Sequence, residues 1–405
     1  MPTDRLDATL RTHVEELTEL GTAKGAEKVI TGVKAAGKGR GPRFFLAGEG
    51  EKGFLKMNSN NYLGLAMRPE VVAAEEEATR DFGVGPGAVR FISGSYRQHT
   101  ELEERLAAFH GRPAAMITSS AYAGILGTIV PLVTPETTLI SDELNHNCII
   151  NAMRLARPKE KKIYRHLDMA GLESALEAGT GNRALVVTDG IFSMRGSHGP
   201  LDQIMELARR YDERYEENVV VLVDDSHGVG AFGETGRGTE EYTGARADIL
   251  VATLGKALGV NGGYTVGSSA LLTYLRETTP TYIYSNPITA GEAAAASKSL
   301  EILASSAGEE LLEHLREMTR RFTDGILDLG WETIPGDHPV TPLMVRDTAR
   351  TTALVQHLYD KGILATGLNY PVVPKGDESI RFQISAEHTA ADIDIALEAI
   401  SSFES

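Results

Sequence analysis

The stretch NVVVLVDDSHGVG, residues 218–230, places five apolar residues directly before two aspartates and a histidine. An apolar run rich in valine is typical of a strand that is buried on both faces of a parallel sheet. Asp224 and His227 would then follow the carboxyl end of this strand, which is where open α/β sheets bind their ligands. The stretch therefore predicts an α/β fold with a functional site at this edge of the sheet.

Four other apolar runs repeat this pattern along the chain. Helical periods lie between most of them, as in residues 101–109, where Thr100 and Glu103 predict a capping box. Strands that alternate with helices indicate a mostly parallel sheet with helices on both faces. The four predicted strands are AAMIT (114–118), TTLIS (137–141), ALVVTD (184–189) and DILVAT (248–253).

The pattern divides the chain into three predicted segments. Residues 1–53 hold an amphipathic helix near 4–20 and a basic, glycine-rich arm, and residues 54–288 form the large domain. Residues 289–405 form a smaller α+β domain. Its predicted helices are 289–304, 308–329, 348–362 and 389–403, and its predicted strands are 342–347, 363–367 and 379–385.

Composition limits the classes of function. The 405 residues carry a net charge of −16, which disfavours nucleic acid as a partner and favours small molecules. Cys148 is the single cysteine, so the chain forms no internal disulfide and we expect a reducing compartment. The N-terminus lacks an apolar signal core, and no apolar run reaches the ~18 residues of a membrane span. We therefore expect a cytoplasmic protein without a membrane partner.

The residues that follow the predicted strands carry reactive or phosphate-binding groups. One of them, Lys256, lies among glycines and other small residues in ATLGKALGVNGGYT (252–265). A single amine held against bare backbone suits pyridoxal 5′-phosphate (PLP), whose aldehyde forms a Schiff base with lysine. The other groups of this kind are Ser119, Ser120, His146, Ser193, Asp224, His227 and Thr253.

PLP makes two further demands that these residues meet. Asp224, after a buried strand, supplies the carboxylate that keeps the pyridine nitrogen protonated and the ring able to accept electrons. Small residues that open a helix after Ser120, together with Thr253, supply N–H groups and a hydroxyl for the phosphate. The sequence therefore predicts a PLP site, and no metal is expected.

One motif points elsewhere but lacks its context. GVGAFG (228–233) fits the G-x-G-x-x-G fingerprint of dinucleotide-binding folds. Four residues separate it from the strand, and ETGRGTEEYTG follows it where an apolar helix is required. We therefore do not expect a nicotinamide cofactor.

Motifs along roughly residues 55–400 resemble those of the α-oxoamine synthases, in the order and spacing of that family. The family includes glycine C-acetyltransferase (2-amino-3-ketobutyrate CoA ligase), to which the resemblance is closest, and 8-amino-7-oxononanoate, 5-aminolevulinate and long-chain-base synthases. The motifs are NSNNYLGL (58–65), RFISGSYRQHTELEERLAAFHG (90–111), SDELNHNCII (141–150), TDGIFSMRG (188–196), VDDSHGVGAFGETGRG (223–238), TLGKALG (253–259), YSNP (284–287) and YPVVPKGDESIRFQISAEHT (370–389).

The resemblance implies a PLP fold-type I protein, similar to aspartate aminotransferase, that forms a homodimer with shared active sites. Lys256 would carry the cofactor and Asp224 would pair with its pyridinium. His227 would contact the phenolic oxygen, and His146 would stack on the ring. The remaining implied contacts are backbone at Ala121 and Tyr122 with Thr253 for the phosphate, Ser285 and Asn286 for the partner's phosphate, and Asn60, Ser193 and Arg381 for cofactor or substrate.

The residues support Arg381 independently of the resemblance. In SIRFQIS (379–385), Ile380 and Phe382 point to one face of a strand and Arg381 to the other. A planar guanidinium on the polar face can bind the carboxylate of an amino acid through two hydrogen bonds. The alternative is a solvated arginine on a sheet face.

The implied reaction condenses a small amino acid (glycine, alanine or serine) with an acyl thioester, giving an α-amino ketone or a 2-amino-3-oxo acid. The donor is acyl-CoA, with acyl carrier protein as the alternative for a synthase of the 8-amino-7-oxononanoate or long-chain-base type. Another fold-type I enzyme, an aminotransferase or a lyase, would need no thioester. A non-catalytic subunit would lack the lysine, so Lys256 and Asp224 oppose that alternative.

Four departures from the family pattern leave the acyl donor open. Arg195 stands where relatives have an acidic residue, and Ala121 and Tyr122 stand where ketobutyrate ligases have Cys-Phe. Asn369 replaces an aromatic residue, which would widen the acyl pocket. The segment LGVNGGY is one residue shorter than in the ketobutyrate ligases and matches the length of that segment in the 5-aminolevulinate synthases.

The basic stretch 154–166 is interpreted as a solvated helix end. Its alternative is a contact with the phosphates of coenzyme A or with an acidic carrier protein.

Overall fold

The computed structural model describes residues 3–403. These residues form a large unit, residues 60–316 with 336–339, and a small unit that holds the remaining described residues. The strands are β1 (Ile30–Lys34), β2 (Arg43–Leu46), β3 (Gly53–Lys56), β4 (Ala114–Thr118), β5 (Thr137–Asp142), β6 (Glu160–Tyr164), β7 (Arg183–Asp189), β8 (Val219–Asp224), β9 (Ile249–Thr253), β10 (Gly263–Gly267), β11 (Glu332–Thr333), β12 (Val340–Met344), β13 (Ile363–Leu364), β14 (Thr366–Leu368) and β15 (Ser379–Gln383).

The α-helices are distributed over both units, and none among residues 3–403 is long and apolar enough to span a membrane. They are α1 (Asp4–Glu19), α2 (Pro69–Phe82), α3 (Arg97–Phe109), α4 (Ala121–Leu132), α5 (Asn147–Leu155), α6 (Met169–Glu177), α7 (Leu201–Tyr211), α8 (Thr239–Thr243), α9 (Ser269–Thr278), α10 (Pro280–Ile283), α11 (Ala290–Leu303), α12 (Ser306–Asp328), α13 (Thr348–Asp360) and α14 (Ala390–Ser401). Short 3-10 helices span Leu65–Met67 and Asp212–Arg214, and a π-helix spans Arg90–Gly94.

The large unit is built on a seven-stranded sheet in the order β4-β10-β9-β8-β7-β5-β6. Strands β5 to β9 run parallel, and β10 is antiparallel to both β4 and β9. The predicted α/β class with a mostly parallel sheet is confirmed, and the five predicted strands match β4, β5, β7, β8 and β9 to within a residue at either end. Because the parallel strands share one direction, their carboxyl ends meet at one edge of the sheet.

Helices α4 and α5 cover one face of this sheet with a closely packed apolar layer. Leu139, Leu185 and Leu222 on the strands pack with Ile125 and Ile129 on α4, and all five are essentially inaccessible to water. Burying each such side chain stabilises the fold by about 1.5–3 kcal/mol. The layer fixes the first turn of α4 against the carboxyl edge of the sheet.

The start of α3 differs from the prediction. The helix begins at Arg97 and not at residue 101, and the N–H of Tyr96 donates to Nδ1 of His99 to close its N-terminus. Glu103, predicted to be a capping residue, is buried and pairs with Arg90. The predicted cap at Thr100 and Glu103 is therefore wrong, because a buried ion pair takes the carboxylate that the cap would use.

Helix α11 belongs to the large unit, so the unit boundary lies beyond the predicted one at residues 288 and 289. The helix packs on α2 and α3 through small residues such as Ala293 and Ala296. A Cβ on Gly291 would lie 2.4 Å from Oγ1 of Thr79, so only glycine permits this approach of α11 to α2. The division into an N-terminal helix and arm (1–53), a large PLP-binding domain (54–288) and a small C-terminal domain (289–405) stays a prediction.

The small unit contains two four-stranded sheets, β1-β2-β3-β13 and β11-β12-β15-β14. Along β15, Ile380 and Phe382 are fully buried and Arg381 is partly exposed, which follows the predicted alternation. The predicted basic, glycine-rich arm, GVKAAGKGRGPR (32–43), is part of a hairpin, because β1 pairs antiparallel with β2. Helix α1 confirms the predicted helix near 4–20 and buries none of its side chains.

Candidate active site

Lys256 lies in a tight turn between β9 and β10. The hydroxyl of Thr253 accepts the N–H of Gly255 at 3.0 Å and donates to the carbonyl of Gly262 at 3.0 Å, which closes the turn. Gly259 has φ +71°, and a Cβ there would lie 2.4 Å from the backbone nitrogen of Ala66. The small residues around Lys256 are therefore required by close backbone contacts.

A cavity of ≈ 200 Å³ at the carboxyl edge of the sheet brings the predicted groups together. Residues after β4, β5, β7, β8 and β9 all line it, as expected if each strand delivers its following loop to one edge. Eight predicted contact residues line it: Ala121, Tyr122, His146, Ser193, Asp224, His227, Thr253 and Lys256. Ser120, Cys148, Asp189, Ile191 and Ser226 also line it. The roles of these residues toward a cofactor remain predictions.

Four predicted residues are not among those that line the cavity. Asn60 accepts from the hydroxyl of Tyr62 at 3.4 Å, and Ser285 and Asn286 follow α10 in the large unit. Arg381 is on β15 in the small unit, where Nη2 donates to Oε1 of Gln383 at 3.4 Å. Their proposed contacts with cofactor or substrate are argued below.

Asp224 and Asp225 are adjacent but have different surroundings. Asp224, only 6% exposed, lines the cavity and accepts the N–H of Ser226 at 3.1 Å. The carboxylate of Asp225 accepts both the N–H and the hydroxyl of Thr239 at 2.7 Å. A Cβ on Gly228 would lie 2.1 Å from that carboxylate, and burial raises the pKa of Asp225 to about 7. Asp225 therefore organises the loop after β8, and Asp224 is the acid available to a ligand.

Two histidines line the cavity in different electrostatic settings. Burial lowers the pKa of His146, Lys256 lowers it further, and Asp224 opposes both. A neutral imidazole is suited to stacking against a flat ring. Nδ1 of His227 lies 2.8 Å from the hydroxyl of Tyr62, and Nε2 of His338 lies 2.9 Å from the carbonyl oxygen of His227. The first contact orients the ring of His227, and the second holds its backbone.

The first turn of α4 forms a cradle for an anion. Ser120 caps the helix by accepting the N–H of Ala123 at 3.1 Å, while the N–H groups of Ala121 and Tyr122 have no acceptor within the helix. A Cβ on Gly263 would lie 2.1 Å from the nitrogen of Ala121, so glycine is required where β10 passes this turn. The N–H groups and the helix dipole favour a phosphate at this end of α4.

Asp189 is a site residue that the sequence analysis did not single out. It ends β7, lies opposite Asp224 in the register of β7 and β8, and is 4% exposed. Oδ2 accepts the N–H of His146 at 3.1 Å, and Oδ1 has no hydrogen-bond partner among residues 3–403. Burial raises the pKa of Asp189 well above its ordinary value, and the charge of Asp224 raises it further. The signal that it shares with Asp224 is its place at the end of an apolar strand.

Asn145 connects the same loop to β7. Its Oδ1 accepts the N–H of Asp189 at 2.8 Å, and its Nδ2 donates to the carbonyl of Val187 and the hydroxyl of Ser141, both at 2.8 Å. With the bond from His146 to Asp189, the loop after β5 is attached to the end of β7 by both residues. Asp189 and Asn145 therefore position His146.

We expect Asp189→Ala to weaken PLP binding by up to about tenfold, because a typical hydrogen bond contributes about 0.5–1.5 kcal/mol and His146 would lose its anchor. Asp189→Asn keeps an oxygen acceptor for the His146 N–H and should lose less. Equilibrium titration of both variants with PLP measures the difference. Equal losses in the two variants would contradict a positioning role and indicate that the acid itself contacts the cofactor.

Cys148 joins His146 and Asp224 in a compact group. Its Sγ lies 2.9 Å from Nδ1 of His146 and donates to Oδ2 of Asp224 at 3.5 Å. The potential ligand atoms of these three residues lie within 4.8 Å of one another, a spacing that a metal ion could use. Burial and the charge of Asp224 raise the pKa of the Cys148 thiol.

The donor set of the cavity fits PLP. It offers one primary amine on Lys256, one buried carboxylate on Asp224 and an anion cradle at Ala121 and Tyr122. These are the three groups that the aldehyde, the ring nitrogen and the phosphate of this cofactor require. The unpartnered Oδ1 of Asp189 adds a polar atom that a ligand in the cavity can satisfy.

Comparisons with known proteins show the family to which the chain belongs. The family model for aminotransferase class I and II matches residues 52–400. An 8-amino-7-oxononanoate synthase from Thermosipho melanesiensis is 39% identical over 350 residues, which cover 86% of this chain and 87% of that protein. The human mitochondrial 2-amino-3-ketobutyrate coenzyme A ligase is 39% identical over 399 residues, which cover 98% of this chain and 91% of that protein. A serine palmitoyltransferase from S. paucimobilis with bound PLP–myriocin superposes with a TM-score of 0.86 at 26% identity, over 99% of this chain and 97% of that one.

Proposed function

This chain belongs to the aminotransferase class I and II family and, within it, to the α-oxoamine synthases, and on that premise we propose that it joins glycine, alanine or serine to the acyl group of an acyl-CoA. It is a PLP-dependent acyltransferase of fold-type I. The observation that carries the proposal is the convergence of Lys256, Asp224 and the α4 cradle on one cavity. The product is an α-amino ketone or a 2-amino-3-oxo acid.

Bound PLP supplies an aldehyde that links to amines and a ring that stabilises negative charge on the α-carbon of an attached amino acid. The residues around it hold it and move protons. Asp224 keeps a proton on the ring nitrogen, and the N–H groups of Ala121 and Tyr122 bind the phosphate. Lys256 would hold the aldehyde of the bound cofactor, and its Nζ, when free, would take the α-proton of the amino acid.

The acyl transfer step needs a nucleophilic carbon and a leaving thiolate. The α-carbon attacks the carbonyl carbon of the thioester, a carbon–carbon bond forms, and the carbon–sulfur bond breaks. The thiolate leaves and is protonated, so each turnover releases one thiol. Loss of the amino acid carboxylate as CO₂ gives the α-amino ketone, and its retention gives the 2-amino-3-oxo acid.

Arg381 and Asn60 are proposed to bind the amino acid substrate. The guanidinium of Arg381 is partly exposed on the polar face of β15, and its two parallel N–H groups match a carboxylate. The amide of Asn60 is held beside the hydroxyl of Tyr62, which also contacts His227. Ser193 lines the cavity and is proposed to bind the cofactor.

Homodimerisation with shared sites is also proposed. Phe91, Ile92 and Tyr284 are 66%, 69% and 79% exposed, which is unusual for such large apolar side chains and favours a covering subunit. Ser285 and Asn286 follow Tyr284 and would contact the cofactor phosphate of the partner subunit. The single cysteine supports a reducing compartment, and we propose the cytoplasm.

The identity of the acyl donor can be determined by assaying combinations of amino acids and acyl thioesters. The two relatives are named for different compounds, 8-amino-7-oxononanoate and 2-amino-3-ketobutyrate, and both are 39% identical to this chain. Asn369, whose Nδ2 donates to the hydroxyl of Thr352 at 3.1 Å, replaces an aromatic residue and favours a wider acyl pocket. Arg195 adds a positive charge that suits a donor with a carboxylate. Acyl carrier protein is the alternative carrier.

We expect acetyl transfer to glycine together with transfer of longer acyl groups. The measurement is kcat/KM by thiol release for acetyl-, butyryl-, hexanoyl- and succinyl-CoA with glycine, alanine and serine. A preference for acetyl-CoA with glycine of about a hundredfold, roughly 2.7 kcal/mol, would contradict the wide pocket and identify a strict acetyltransferase. Thiol release only from a carrier-protein thioester would instead select the alternative donor.

A further inference from the structure

Helix α10 is fastened to α4 by two threonine hydroxyls. Oγ1 of Thr279 donates to the carbonyl of Gly127 at 2.7 Å, and Oγ1 of Thr281 donates to the carbonyl of Ala123 at 2.9 Å. A Cβ on Gly127 would lie 2.4 Å from Cγ2 of Thr279 and 2.5 Å from Oγ1 of Thr281. Glycine therefore permits the approach, and the two hydroxyls attach α10 to the backbone of α4.

A charge cluster, buried at Arg90 and Glu103 and partly exposed at Arg276, holds α10 from another side. The hydroxyl of Tyr282 accepts from Nη1 of Arg276 at 2.7 Å, and the guanidinium carbons of Arg90 and Arg276 each lie 5.6 Å from the centre of its ring. Glu103 pairs with Arg90 at 3.2 Å and with Arg276 at 3.1 Å. Breaking the ion pair between Arg90 and Glu103 would leave a buried charge without compensation, so these contacts hold the ring of Tyr282 in one position.

The residues after α10 alternate between exposed (Tyr284 and Asn286) and half-buried (Ser285 and Pro287). Tyr284 is 79% exposed and Asn286 is also exposed. On the far side, Ile288 is buried, and Nε2 of His99 lies 2.8 Å from its carbonyl oxygen. Residues 284–287 therefore form a short projecting segment whose position is set by its anchored ends.

We propose that Thr279 and Thr281 are positioning residues for the contact that Ser285 makes with the cofactor phosphate of the partner subunit. The inference rests on the proposed function, which places Ser285 at that phosphate. Helix α4 begins at the cradle for the phosphate of its own subunit, and carbonyls in its first two turns, at Ala123 and Gly127, hold the base of the segment that serves the other subunit. One helix thus orients phosphate-binding groups for both active sites.

The test compares binding of PLP with binding of pyridoxal, which lacks the phosphate. Thr281→Val preserves shape and removes the hydroxyl, and we expect it to weaken PLP binding by about tenfold, or 1.4 kcal/mol. Affinity for pyridoxal should stay unchanged within about twofold, roughly 0.4 kcal/mol. Thr281→Ser keeps the donor and should restore the affinity for PLP. The matched control is Thr273→Val on α9, whose exposed hydroxyl donates to the carbonyl of Ser269 at 2.8 Å.

A double-mutant cycle with Ser285→Ala decides whether Thr281 acts through Ser285. The account predicts that Ser285→Ala alone lowers the ratio of PLP to pyridoxal affinity and that Thr281→Val then adds little. Full additivity, or equal weakening of PLP and pyridoxal by Thr281→Val, would overturn the positioning role and leave the proposed function intact. An unchanged ratio in Ser285→Ala would instead remove the proposed contact across the dimer, and the inference with it.

Discussion

Lys256→Ala is expected to abolish turnover and the borohydride-reducible link between the protein and PLP. No other described residue lining the cavity is a lysine, so no second amine is at hand to replace it. The side chain lines a cavity and not the apolar core, so the melting temperature should change little. Turnover, borohydride trapping followed by peptide mass analysis, and thermal unfolding are measured on the same preparation.

Lys298→Ala is the matched control, because this lysine on α11 lies away from the cavity and its ammonium pairs with Glu301 at 2.9 Å. It should keep full turnover and the reducible link. If Lys256→Ala retained more than about one hundredth of the turnover, a difference of roughly 2.7 kcal/mol, another group would carry the cofactor. That outcome would remove the proposed role of the turn between β9 and β10.

Asp224→Asn is expected to lower kcat by at least a hundredfold, or about 2.7 kcal/mol. The amide keeps an acceptor for the N–H of Ser226 but cannot hold a proton on the ring nitrogen, so the ring becomes a weaker acceptor of electrons. PLP should also bind more weakly, because a charge-assisted contact is lost. Steady-state kinetics and the absorption spectrum of bound PLP measure both effects.

Asp225→Asn is the internal comparison for this prediction. Asp225 accepts two hydrogen bonds from Thr239 and is closely approached by Gly228 and Gly238. Its amide variant should therefore keep kcat within about threefold, roughly 0.7 kcal/mol. The variant should mainly alter thermal stability. The reverse order, with Asp225→Asn the more damaging to kcat, would assign the ring nitrogen to Asp225. The structure places that carboxylate in contact with Thr239, so such a result would require the loop after β8 to rearrange.

Much of the large unit could be predicted from the sequence because buried parallel strands have an unambiguous pattern. Their apolar runs are continuous, and the polar residues that end them are forced to one edge of the sheet. This single rule is enough to predict that Lys256, Asp224, His146 and His227 lie together. Asp189 obeys the same rule, but its significance depends on its register with Asp224 and on the hydrogen bond to His146, which sequence does not display.

Two strands of the same sheet were missed for physical reasons. Strand β10, GYTVG, has glycine at both ends and lies within a stretch that local propensity assigns to a turn. Strand β6, EKKIY, is the edge strand, and charged residues are common at sheet edges because they discourage pairing with other chains. The interpretation of residues 154–166 as a solvated helix end is therefore wrong beyond Leu155, where α5 ends.

The central claim is that the chain transfers an acyl group from a thioester to the α-carbon of an amino acid, and a stoichiometry experiment tests it most directly. PLP-loaded protein is mixed with ¹³C-labelled glycine and acetyl-CoA, and free thiol and labelled product are quantified together. The account predicts one thiol released per labelled 2-amino-3-oxo acid or α-amino ketone formed, and no thiol release when either substrate is omitted. Conversion of labelled glycine to an oxo acid without thiol release would contradict the account and indicate an aminotransferase.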